Sequence, residues 1–165
     1  MKILYICTHN RCRSILSEAI TRQNAQGIIE AKSAGSQPAA EVHPLSLQYL
    51  REAGYNTAGL ASKSWDVLAD ETGNDFVPDV VITVCDQAAG ESCPLWLGTT
   101  PKLHWGLSDP SKLDGTADEK RQAFVATIHE IEQRVDQLIK IATRPKTEQL
   151  AALQQLAQSS SVTNA

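Results

Sequence analysis

The sequence predicts an α/β fold in which a mainly parallel sheet is covered by helices on both faces. Three observations predict it. Short apolar runs with little alternation, at 2–7 and 79–85 above all, have the composition of strands buried on both sides. Between them lie stretches whose apolar residues recur at helical spacing. Strand and helix signals then alternate along most of the chain, the pattern of parallel strands joined by helical crossovers.

Each element has its own signal. Residues 2–7 form the first strand. Ser14 reads as a helix start, with Ile15, Leu16, Ala19 and Ile20 on one side as far as about Gly27. IIEAKSAGS, residues 28–36, reads as a strand entering a turn. His43-Pro44 opens a helix carrying Leu47, Leu50 and Ala53, with Gly54 as its stop. Residues 65–70 suit a short helix, and DVVITVC, 79–85, is the strongest buried strand. LHWGL, 103–107, is a weaker one. Phe124, Ile128, Ile131, Val135, Leu138 and Ala142 then step along a long helix that Pro145 follows. The division expected is one main domain over 1–143 and a short helical or disordered tail over 144–165. In that tail Leu150, Leu153 and Ala157 make one more amphipathic turn or two, and SSSVTNA frays.

The composition narrows the function. The chain has 165 residues, 42% of them hydrophobic, enough for one domain with a real core. A net charge of −4 without a basic run speaks against a general nucleic-acid binder. An anionic substrate must therefore be held by a local site. No apolar run has the length of a membrane span, and the residues before Cys7 are too few for a signal peptide, so a cytoplasmic location is expected. The four cysteines, at 7, 12, 85 and 93, lack the paired short spacing of structural zinc. They are expected as reduced thiols.

In sheets of this kind the working site lies beyond the carboxyl ends of the strands, where Cys7, Cys85 and the segment after Leu107 all fall. CTHNRCRS, 7–14, is a loop between a strand and a helix. Its backbone N–H groups and the helix N-terminus make a cradle for a tetrahedral oxyanion. The candidate cradle is Thr8, His9, Asn10, Arg11, Cys12, Arg13 and Ser14. Arg13 closes it with a two-pronged contact that lysine does not copy. In that field the Cys7 pKa is expected to fall and its nucleophilicity to rise. Ser14 is expected to cap the helix and to donate to the sulfur. Asn10 suits a positive φ in the loop. Taken alone, Arg11 is a solvated charge. Cys12 has two readings, packing against the helix or trapping Cys7 as a disulfide.

CTHNRCRS, Ser17-Glu18, KSAG at 32–35, the VVITVCD strand and SDP at 108–110 together resemble the low-molecular-weight tyrosine phosphatase superfamily. The resemblance implies a four-stranded parallel sheet with flanking helices, a phosphatase-I or flavodoxin-like architecture. It assigns nucleophile, oxyanion binder and general acid to Cys7, Arg13 and Asp109. An acid is needed because the departing oxygen leaves poorly unless protonated.

Within the superfamily, Cys85 with Cys93 and Pro94 resemble the second cysteine pair of arsenate reductases. Ile15 after Arg13-Ser14, and Ser111 after Asp109-Pro110, lean the same way. The resemblance implies a relay in which Cys7 attacks arsenate, Cys85 attacks Cys7, and Cys93 resolves Cys85. The intervening DQAAGES, rich in small residues, is composed to bend. An external dithiol, thioredoxin or glutathione with glutaredoxin, then restores the thiols. Some such reductases bind potassium; Asn10, Glu18, Ser33 and Asp66 are the matching oxygens. Many superfamily members have glycine where this chain has His9, a costlier occupant if positive φ is needed there. Its roles left open are lowering the thiolate pKa and sorting oxyanions. Two other functions remain: a phosphatase acting on aryl phosphate monoesters, and a non-catalytic oxyanion-binding or redox-sensing module.

Overall fold

KILYI becomes the centre of the sheet because nearly every side chain in it is apolar on both faces. In the computed structural model, which describes residues 1–69, 76–85 and 100–163, β1 (Lys2–Ile6) has four of its five residues buried. It pairs in parallel with β2 (Glu30–Ala34), Lys2 opposite Glu30 and Ile6 opposite Ala34. On its other side it pairs in parallel with β3 (Val80–Thr83), Ile3 opposite Val80. The strand β4 (Lys102–His104) completes the sheet beside β3, giving the order β2-β1-β3-β4. Strand order reverses at β1, so a crevice opens beyond the carboxyl ends of β1 and β3. The predicted four-stranded parallel sheet with helices is thus observed.

The helix α1 (Arg13–Asn24) buries Ile15, Leu16, Ala19 and Ile20. It begins one residue before the expected start. Cys12 is its N-cap and makes no side-chain capping bond. Ser14 lies inside the first turn, fully buried, and its hydroxyl accepts from Asn10, so it does not cap the helix. The helix α2 (Pro44–Glu52) follows the predicted His-Pro start, and Gly54, at φ +91°, takes the left-handed conformation that ends it. Residues 65–69 form a 3-10 turn.

The long helix α3 (Ala117–Ala142) is opened by a reciprocal cap: Thr116 Oγ1 accepts from the Glu119 N–H at 3.2 Å and meets its carboxylate at 3.3 Å. Phe124, Ile128, Ile131, Val135 and Leu138 are its buried stripe. A further helix, α4 (Lys146–Thr163), is longer than the turn or two expected. Its Leu153 is only 2% exposed and belongs to the core, while Leu150 faces out. Among the described residues no helix is long and apolar enough to cross a membrane.

Candidate active site

The loop after β1 is pinned from below before any chemistry is considered. Asn10 is fully buried at φ +45°, the conformation that asparagine tolerates. Its Nδ2 donates to Ser14 Oγ at 2.8 Å and Ser33 Oγ at 3.0 Å, and its Oδ1 accepts the Lys63 N–H at 2.9 Å. The Thr8 carbonyl accepts the Gln37 N–H, and the His9 carbonyl accepts the Ala39 N–H. Asn10 and Ala40 are the only non-glycine residues with positive φ among those described, so His9 carries no such strain. The His9 ring is exposed and meets the Gln37 carbonyl through Nδ1 at 3.0 Å.

Gly35, at the end of β2, was legible only as part of a motif. A methyl group there would sit 2.5 Å from the Thr8 carbonyl oxygen and 2.6 Å from that of Cys7. The loop is seated directly on this glycine, a close backbone approach that no other residue permits.

Cys7 lies at the base of a cleft of about 480 Å³, walled by the loop and by His43, Cys85, Asp109, Ser111 and Lys112. Arg13 donates from Nη1 to the Leu107 carbonyl at 3.0 Å, and its Nη2 stands 3.6 Å from Asp109 Oδ2. Its Nε is buried without a hydrogen-bond partner among the described residues. A guanidinium with an unused donor suits an oxyanion. The Asp109 Oδ1 atom accepts both the Ser111 N–H, at 2.9 Å, and its hydroxyl, at 2.6 Å, which fixes the carboxylate. Arg11 is exposed.

Cys85, beyond β3, reaches the same point. Its sulfur takes the Thr8 N–H at 3.4 Å and lies 3.7 Å from Thr8 Oγ1. Cys7 and Cys85 line this cleft together. This proximity reverses one expectation. The Cys7 thiol is held above its ordinary pKa, first by the neighbouring Cys85 thiol and then by burial. Arg13 and the His9 N–H pull the other way and are outweighed. Two thiols this close retain a proton between them, and the Thr8 N–H donates to the Cys85 sulfur. Burial pushes the Cys12 thiol up to about 12, and Cys12 packs in the core beside Ser46. Among the described residues no disulfide joins Cys7, Cys12 or Cys85. Cys93, Pro94 and the rest of the loop that follows Cys85 lie outside the described residues.

The four oxygens matched to potassium do not fit a bound cation. Glu18 is fully buried, and its Oε1 already faces Arg22 at 2.8 Å and Lys63 Nζ at 3.9 Å; its Oε2 accepts from Ser33 at 2.8 Å. Burial raises the Glu18 pKa against the pull of those two cations, and burial lowers that of Lys63. Asn10 has both amide atoms engaged, as above, and Asp66 is paired with Ser64 at 3.4 Å. Two basic side chains supply the charge a cation would bring.

Sequence reasoning placed Cys7, Arg13, Asp109 and Cys85, and the structure gathers all four in one cleft. It did not place His43, Ser111 or Lys112 there. The signal for Ser111 was present: a serine two residues after an aspartate forms a local turn that fixes the carboxylate.

A thiol seated in an oxyanion cradle, with an arginine across it and a carboxylate at its mouth, defines a cysteine-dependent enzyme of the phosphate-loop kind. The chain belongs to the low molecular weight phosphotyrosine protein phosphatase family, whose model matches residues 2–155. Within it, the chain is 31% identical to an arsenate reductase of Bacillus licheniformis over 133 residues, 81% of this chain and 91% of that one. Among solved structures it resembles an arsenate reductase in the phosphate-binding state, with a TM-score of 0.67 and 25% identity, covering 86% of this chain and 98% of the other. It also resembles the thioredoxin-dependent arsenate reductase of Corynebacterium glutamicum, with a TM-score of 0.62 and 30% identity, covering 86% and 61%.

Proposed function

We propose that this chain reduces arsenate to arsenite through Cys7, Cys85 and Cys93. The observation that carries the reading is the second thiol beside the first in one cleft, its sulfur bonded to the N–H of the residue after Cys7. Hydrolysis of a phosphate ester needs one nucleophile, whereas reduction needs a second thiol to take the first one off arsenic.

Arsenate is held by the loop N–H groups and by Arg13, with Thr8, His9, Asn10, Arg11, Cys12 and Ser14 building the rest of the cradle. Cys7 attacks arsenic. One oxygen leaves as water after taking the Cys7 thiol proton and a proton from Asp109, and a sulfur–arsenic bond remains. A raised Cys7 pKa is compatible with this step, because the dianionic substrate itself accepts the proton. Cys85, held beside the loop by the Thr8 N–H, attacks the Cys7 sulfur. The sulfur–arsenic bonding pair stays on arsenic, which departs as arsenite, and a Cys7–Cys85 disulfide forms. Cys93 then attacks Cys85, frees Cys7 and leaves a Cys85–Cys93 disulfide for an external dithiol to reduce. Thioredoxin is the favoured donor, by likeness to the Corynebacterium enzyme, with glutaredoxin and glutathione as the second. The cycle needs reduced thiols at its start, in keeping with a cytoplasmic setting. Residues 1–143 carry every group it uses.

The test is arsenate-dependent NADPH oxidation, with the thioredoxin and glutaredoxin–glutathione systems supplied separately. Turnover with either is expected, and it stops in Cys7→Ser, Cys85→Ser and Cys93→Ser alike. Brisk Cys7-dependent hydrolysis of an aryl phosphate with no arsenate turnover would identify a phosphatase instead.

A further inference from the structure

His43 stands in the cleft with no part in the steps above. Its backbone N–H donates to the Arg11 carbonyl at 3.0 Å, and the Ser46 hydroxyl reaches the same carbonyl at 3.3 Å, so α2 begins locked to the loop. Its ring Nδ1 accepts the Leu45 N–H at 3.1 Å. A backbone N–H only donates, so in the neutral ring the proton sits on Nε2. The ring leans on Phe124, with centroids 6.4 Å apart and planes at 46°. It lines the same cleft as Cys7, Arg13 and Asp109.

We propose that His43 is a substrate-positioning residue, whose Nε2–H donates to an oxyanion held between Cys7, Arg13 and Asp109. The tautomer follows from the cap, the ring plane from Phe124, and the height above the loop from the Arg11 carbonyl. These three constraints preorganise a single neutral donor, which costs no reorganisation when the anion arrives. The surrounding groups keep it neutral. Burial lowers its pKa, Arg11 on the loop and Lys120 on α3 act in the same direction, and Asp109 opposes them. Protonation would put hydrogen on Nδ1 and break the Leu45 bond, so donor and cap share one protonation state. The proposal rests on the oxyanion reading of the cleft, and on arsenate only for its turnover measurement.

The test compares His43→Ser, which keeps a capping oxygen but does not reach the cleft, with His43→Ala, which keeps neither. Inorganic phosphate is the binding probe, measured by calorimetry, with arsenate kinetics alongside. Loss of one hydrogen bond to a charged group predicts phosphate Kd and arsenate KM about tenfold higher in both variants. The kcat changes less than about twofold, and only the alanine variant loses Tm. In the parent protein, the nitrogen resonances of His43 show an Nε2–H tautomer that shifts on adding phosphate. Parent-like phosphate affinity in His43→Ser overturns the proposal. So does an affinity loss matched by an equal fall in Tm in both variants, which would reduce His43 to a helix cap. If the parent binds phosphate but never reduces arsenate, the arsenate reading fails while the phosphate measurement still decides the role of His43.

Discussion

Arg13→Lys lowers kcat/KM for arsenate by about a hundredfold to a thousandfold, the usual cost of removing one preorganised oxyanion donor. Its three nitrogens set this expectation. One nitrogen is committed to the Leu107 carbonyl, a second stands 3.6 Å from Asp109, and Nε has no protein partner among the described residues. The planar fork therefore ties the β4 side of the cleft to the loop and still has a donor for substrate. Lysine supplies one mobile charge and cannot do both. The fold survives, because the lost bond to Leu107 is worth about 1 kcal/mol, a fall of roughly 2–4 °C in Tm for a chain this long. Steady-state kinetics beside a thermal melt check it. A kcat/KM within about threefold of the parent would remove Arg13 from the chemistry.

The second large effect lies outside the cleft. Gly35→Ala is expected to cost more than about 3 kcal/mol, because its methyl meets two backbone carbonyl oxygens that no rotamer change can clear. The chain at Gly35 is fixed from the other side as well, since its N–H donates to the Lys63 carbonyl and its own carbonyl accepts from Trp65. Strand and loop must therefore part, and oxyanion binding is lost with stability. Gly27→Ala is the control. That glycine has φ +81° and nothing within 4 Å of an added methyl, so only backbone strain of about 1 kcal/mol is expected. Urea melts of the two variants separate crowding from strain.

Much of the fold was legible because local and global signals agree. KILYI and VVITVC are apolar on both faces, as central parallel strands must be, and the long α3 shows its stripe residue by residue. The cleft was legible where one segment carries it, in the loop from Cys7 to Arg13. It was not legible where distant segments meet. His43 sits some thirty residues from the loop that its backbone holds. The direction of the Cys7 pKa depended on Cys85, seventy-seven positions beyond Thr8, whose N–H it meets. The loop alone predicts a lowered thiol; the neighbouring sulfur reverses it. The surroundings of Glu18 were hidden in part for the same reason: Lys63 reaches it only in the folded chain, whereas Arg22 is its i+4 neighbour on α1. Ser14 has the composition of a cap, but Asn10 claims its hydroxyl. The α4 helix was underestimated because its sequence is mostly Gln, Ala and Ser, yet Leu153 docks in the core.

The measurement closest to the central claim is a single turnover without reductant. Fully reduced protein is mixed with arsenate, and arsenite, free thiols and disulfide-linked peptides are counted. The relay predicts about one arsenite per chain with loss of about two thiols, mapped as a Cys85–Cys93 disulfide, and a trapped Cys7–Cys85 disulfide in Cys93→Ser. No arsenite, with every thiol still titrating, would contradict it.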